Sequence, residues 1–244
     1  MKTLDDFIDA LKISFGLLSN KVVWSFLIPS LIIGVLFLAG EFIFYKVKGA
    51  SSSLQEIRFL GGFLYNIVNA FLSFIYSTGD ILFKFIILTL FSPINCILSE
   101  KADSILTGQT FNISLSRILK EIGRAIIIAF LATFMYALAT VIWWFLAKLL
   151  HLSFLNTIVY LCMSAFFISF SFFDYSLERY KKGVGKTFEF GFSNAMPIVL
   201  TGLIFSGLFM IPYIGKIIAP FIATIVSTVV YLMTERKISA GSQH

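Results

Sequence analysis

Residues 125–173 read AIIIAFLATFMYALATVIWWFLAKLLHLSFLNTIVYLCMSAFFISFSFF, and the only Lys, Arg, His, Asp or Glu among them are Lys148 and His151 near the centre. A helix needs about 20 apolar residues to cross a hydrocarbon layer of about 30 Å, and each half of this stretch is that long. Backbone amides have no water to bond in such a layer, so the apolar halves must be helices that satisfy themselves. The stretch is therefore expected to be a helical hairpin with Ala147-Lys148-Leu149-Leu150-His151 at its tip.

Working outward, a second apolar pair follows, Phe190 to Gly215 and Ile217 to Thr234, with Pro212, Gly215 and Pro220 breaking a continuous helix near its tip. Before the first hairpin, residues 22–45 form one expected span and residues 59–98 a longer one. Ser92-Pro93 in the longer span removes a backbone donor, so the helix should kink or stop there, with Asn95 close enough to bond the freed carbonyls. Asp80 and Lys84 stand four residues apart, the spacing of a helical ion pair. Polar sequence then runs from Ser99 to Gly123. At the N-terminus, Leu4, Phe7, Ile8, Leu11, Phe15 and Leu18 recur at helical spacing against Asp5, Asp6, Asp9 and Lys12, the pattern of an interfacial amphipathic helix over 4–18.

The expected fold is all-α: one membrane domain over 1–244, a polytopic bundle of two long transmembrane helices and two hairpins (125–173 and 190–234) behind the interfacial helix. Composition agrees, with 58% hydrophobic and 13% charged residues and a mean hydropathy of +0.93. A soluble domain carries about twice that charge. The net charge of +6 sits in short clusters between apolar runs, which excludes a nucleic-acid stripe and fits positive cytoplasmic loops. With the N-terminus inside, about 13 Lys and Arg fall on the cytoplasmic side and about 5 outside. That count leaves open whether the hairpins cross fully or enter and return.

Catalytic constellations are absent. Gly183-Val184-Gly185-Lys186-Thr187 resembles the end of a phosphate loop, but Tyr180 stands where that motif needs glycine. The two histidines, His151 and His244, have no partners for a triad, and Cys96 and Cys162 show no zinc spacing, so no enzyme, metal or cofactor is expected. The Asn112-Ile113-Ser114 glycosylation triplet falls on the side assigned to the cytoplasm. Gly202 and Ser206 form a small-xxx-small pair suited to close helix packing. What remains are polar residues at the edges of apolar runs: Lys21, Asn95, Glu100, Asp174, Glu178, Arg179 and Lys186.

The segment Ser92-Pro93-Ile94-Asn95-Cys96-Ile97-Leu98-Ser99-Glu100-Lys101 through Leu106-Thr107-Gly108, with Phe173-Asp174-Tyr175, Ile211-Pro212 and Ala219-Pro220 in order, resembles the CysZ and etoposide-induced-protein family of membrane proteins. That resemblance implies a homo-oligomer in a bacterial inner membrane whose partners are the lipid bilayer and a small anion. It also implies sulfate uptake. Family members hold sulfate at a Gly-hydrophobic-Arg motif after the amphipathic helix; here the stretch reads Asn20-Lys21-Val22-Val23-Trp24-Ser25, and Lys21 is its cation. The expected substrate-binding residues are thus Lys21, Asn95, Glu100, Asp174 and Arg179, with Pro93, Pro212 and Pro220 shaping the backbone. A rival expectation is a membrane scaffold or lipid-interacting protein that transports nothing, since the spans carry no continuous polar face.

Overall fold

The computed structural model describes residues 4–35, 79–110, 115–235 and 238, and every regular element among them is helical. Helix α1 is Leu4–Leu18; α2 starts as Lys21–Ser25 and runs on to Val35 at 72° to α1. The rest of the expected 22–45 span, the first part of the 59–98 span, the 112–114 triplet and the Asp80 side chain lie outside the described residues. Then come α3 (Gly79–Thr107), α4 (Leu115–Leu149), α5 (Asn156–Arg179), α6 (Val184–Ser193), α7 (Ala195–Phe209) and α8 (Gly215–Thr234).

Both hairpins are present, and they differ. Leu119–Leu149 of α4 spans 31 residues, about 46 Å of helix, and only 17% of its apolar window is buried. Phe130, Phe134, Val141 and Phe145 point away from the protein, as side chains facing lipid tails must. Helix α8 is the reverse, with 78% of its window buried. It packs against α1, α3, α5 and α7. Helix α7 has 15 residues, about 22 Å, less than the hydrocarbon thickness, and meets α6 at 98°. That break at Asn194 falls inside the stretch read from sequence as one apolar run from Phe190.

Glycine sets the closest helix approach. A Cβ at Gly202 would overlap the Ala165 carbonyl and crowd Ser169 Oγ, so α7 can lie against α5 only with glycine there. Ser169 Oγ reaches the carbonyls of both Ala165 and Ile198, at 2.9 and 2.8 Å, bridging the two helices.

Each turn has its own chain reversal. At the α4–α5 tip His151 takes φ 56°, and the Leu152 amide donates to the Ala147 carbonyl at 2.8 Å, a left-handed cap that closes the helix end. Trp143 Nε1–H donates across the tip to Asn156 Oδ1 at 3.0 Å. The α7–α8 tip holds Pro212 and Tyr213 (φ 60°) in an exposed turn, and a Cβ at Gly215 would overlap the Leu208 carbonyl. Pro220 is buried inside α8.

The structure adds detail to three readings of the sequence. Helix α3 does not stop at Pro93 but runs on to Thr107, and α4 starts at Leu115, so most of the polar stretch 99–123 is helix. Its charges are tolerated because they pair inside the bundle, as described below. Asn95 does not cap the carbonyls freed by Pro93, since neither of its amide atoms has a hydrogen bond of good geometry. Helix α1 buries Phe7, Ala10, Ile13, Ser14 and Leu17, and packs on α8. Small Ala10 and Ser14 permit that contact, leaving Leu4, Ile8 and Phe15 of the expected interfacial face exposed.

Candidate functional site

Helices α3 and α5 run parallel and carry polar residues at matching heights. On α3 the residues Ser92, Asn95, Ser99 and Asp103 recur every three or four positions, which puts them on one stripe. On α5 the same rule makes two stripes: Asp174 with Glu178, and Tyr175 with Arg179. The first faces α4, where Arg117, Glu121 and Arg124 form a stripe of their own, and the second faces α3.

The lower end of this assembly, at the base of the first hairpin, is ionic. Arg179 Nε–H donates to Asp103 Oδ2 at 2.8 Å, and both side chains are 0% exposed. The same guanidinium donates to Ser99 Oγ (2.9 Å) and Ser176 Oγ (3.1 Å), and Ser99 Oγ lies 2.8 Å from Thr228 Oγ1 of α8. Tyr180 donates its hydroxyl to Asp103 Oδ1 at 3.1 Å. Burial first, then the Asp103 carboxylate, push the Tyr180 phenol above its ordinary range, so it stays a donor.

Toward α4, Arg124 grips Asp174 with two bonds, Nε–H to Oδ2 (2.8 Å) and Nη2–H to Oδ1 (2.6 Å). This planar fork is the strong form of the carboxylate pair. Arg124 also donates to the Lys182 carbonyl at 2.7 Å, and Thr187 of α6 donates to Asp174 Oδ1 at 2.6 Å. One side chain thereby ties α4 to α5 and to the turn leading into α6. Arg117 pairs with Glu100 and reaches Glu178 at 3.4 Å and Glu121 at 3.8 Å. Burial alone would lower its pKa; Glu100 and then Glu178 outweigh that and raise it, so Arg117 stays charged.

Of the residues singled out in the sequence, Asn95, Glu100, Asp174 and Arg179 are all buried in this assembly. Lys21 is not part of it: it is exposed at the start of α2, beside Asn20, whose Oδ1 accepts the Val22 amide at 2.9 Å. Lys186, also singled out, is an exposed partner of Glu189 at 2.7 Å. Sequence reasoning missed Asp103, Arg117, Glu121 and Arg124. Asp103, Arg117 and Glu121 lie in the polar stretch 99–123 and Arg124 directly follows it, where charges are unremarkable; the i, i+4, i+7 spacing of Arg117, Glu121 and Arg124 was the available signal.

The layer's chemistry is defined by stoichiometry. Three guanidiniums face five carboxyl groups, and each guanidinium is bonded to at least one of them. Such a layer holds helices in register, but it does not present an uncommitted cation to an anion. The next turns of α3 and α5 are neutral: Asn95 lies beside the Tyr175 hydroxyl, with Ser92 and Ser171 beyond.

A bundle of long apolar helices enclosing a buried, charge-paired layer defines a multi-pass helical membrane protein. The chain matches the family described as Sulfate transporter CysZ/Etoposide-induced protein 2.4 over residues 10–220. It belongs to that family. A search among individually curated proteins finds no match to it.

Proposed function

We propose that the chain is a permease for small inorganic anions, sulfate foremost, acting without catalysis in a bacterial inner membrane as a homo-oligomer with a cytoplasmic N-terminus. The observation that carries this reading is the buried polar assembly of α3, α4 and α5, set inside a bundle of the Sulfate transporter CysZ/Etoposide-induced protein 2.4 family. Buried ionisable groups at membrane depth are costly, and their usual return is a solute path. Lys21 attracts the anion at the exposed α1–α2 bend, Asn95 contacts it, and Glu100, Asp174 and Arg179 hold the base of the path. Pro93, Pro212 and Pro220 shape its backbone.

Uptake of labelled sulfate into liposomes containing the purified protein, with other anions as competitors and empty liposomes as control, tests the reading. Saturable flux is the expected result. The neutral variant Lys21→Gln should raise KM by about threefold and leave the unfolding temperature unchanged, as an exposed charge does. Absence of flux for every anion would favour a second reading, a membrane scaffold or lipid-interacting protein, which the exposed apolar face of α4 also suits.

A further inference from the structure

The parallel α3 and α5 make a ladder whose rungs change character with height. Asp103 and Arg179 form the lowest rung, Ser99 and Ser176 the next, and both are saturated with hydrogen bonds. Above them Asn95 stands against Tyr175, and one turn higher on each helix come Ser92 and Ser171. There the saturation ends. Among the described residues, Ser92 Oγ and Ser171 Oγ make no hydrogen bond to another protein group and Asn95 has the Tyr175 hydroxyl beside it as partner, although Asn95 and Ser92 are 0% exposed and Ser171 is 6% exposed.

A buried hydroxyl or amide without a partner costs about 1–3 kcal/mol, so the two serine hydroxyls and the under-bonded Asn95 amide, within a turn of one another, carry a penalty that packing does not require. The other unpartnered hydroxyls among the described residues, Thr140, Ser206 and Tyr231, belong to α4, α7 and α8 and not to this ladder. Hydroxyls pointed elsewhere in these helices bond their own backbone, as Thr89 does to Phe85 and Ser169 to Ala165. Ser92 and Ser171 forgo that alternative.

We propose that Ser92 and Asn95 of α3 with Ser171 and Tyr175 of α5 form a charge-neutral site for a small tetrahedral oxyanion of the sulfate class. Three O–H groups and the Asn95 amide N–H2 can converge on such an ion as donors, and the rung itself carries no carboxylate. Ile128, Ala132 and Ile168 share one buried apolar cluster with Cys96 and Tyr175, so hydrogen bonds to a charged ligand gain strength from the low dielectric, and the carboxylates that act on Tyr175, Asp174 and Glu121, face Arg124 and Arg117. Neutral donors suit passage better than guanidiniums, which would hold a divalent ion too tightly to release it. The proposal deepens the permease reading and rests on it for the passage of the ion, but not for its binding.

The test uses the full chain in liposomes, in a Cys96→Ala/Cys162→Ala background with unchanged unfolding temperature. Ser92→Cys and Ser171→Cys, each nearly isosteric, are labelled by a small thiol-reactive sulfonate, in sodium sulfate or in sodium chloride of equal ionic strength. Both cysteines should be labelled in chloride, and labelling should slow about tenfold when sulfate exceeds its Kd about ninefold, as simple occupancy requires. Failure of either cysteine to react would mean a dry core, and equal rates in both salts would mean water without an anion site; each result overturns the proposal. Sulfate protection without sulfate uptake by the wild-type chain would keep the site and overturn the permease instead.

Discussion

The two hairpins are similar in hydropathy and opposite in use. The first, α4 and α5, is long, turns its α4 face to lipid and carries at its base the guanidiniums and carboxylates that lock the helices together. The second, α7 and α8, is shorter, and its α8 arm is the centre of the bundle, touching α1, α3, α5 and α7. Apolar side chains therefore serve as solvent-facing surface in one hairpin, the solvent being lipid, and as core in the other. The difference shows that in a membrane an apolar run sets the presence of a helix, while small residues and paired charges set where it sits.

Substitutions in each should separate the two hairpins. The largest effect is expected at Gly202, where a side chain must overlap the Ala165 carbonyl: Gly202→Leu should cost about 3 kcal/mol or more and remove the sharp unfolding transition in detergent. Phe130→Leu, at a residue of α4 that is 70% exposed, should change stability by less than about 0.5 kcal/mol in the same assay. If the two cost the same, α7 and α4 do not differ in burial as described. An intermediate effect is expected at Arg124→Lys, which keeps the charge but loses the fork on Asp174 and the bond to the Lys182 carbonyl. About 1–2 kcal/mol is expected, with trypsin cleavage after Lys181 and Lys182 accelerated as the α5–α6 turn loosens. The smallest effect is a gain: His151→Gly relieves a left-handed non-glycine residue at the first tip and should add about 0.5 kcal/mol, read as a small rise in unfolding temperature.

Much of this architecture is legible in sequence because each lipid-depth helix announces itself as an apolar run, and Pro212 with Gly215 marks the second tip. The break at Asn194 is not read from the apolar run, although Ser193-Asn194 and Pro197, which has no N–H for the Ser193 carbonyl, mark it. The site is half legible. Asn95, Glu100, Asp174 and Arg179 stand out because polar residues at the edge of an apolar run need a reason. Their partners Asp103, Arg117 and Arg124 do not, because a charge in a polar stretch looks solvated until α3 and α4 are seen to continue through it. Lys21 stands out by the same edge criterion and yet lies exposed at the α1–α2 bend, where a lysine needs no partner.

On the permease reading, the buried guanidiniums stay committed to carboxylates and an anion is left to the neutral groups above them. A four-member cycle of wild type, Asp103→Leu, Arg179→Met and the double variant, read by thermal unfolding and by sulfate uptake, tests it most directly. Each single change strands a buried charge and should cost about 3–5 kcal/mol, while the double variant should regain most of that stability and keep saturable uptake. A double variant that folds stably but takes up no sulfate, or an Arg179→Met protein as stable as wild type, would contradict the claim and make Arg179 a contact of the anion itself.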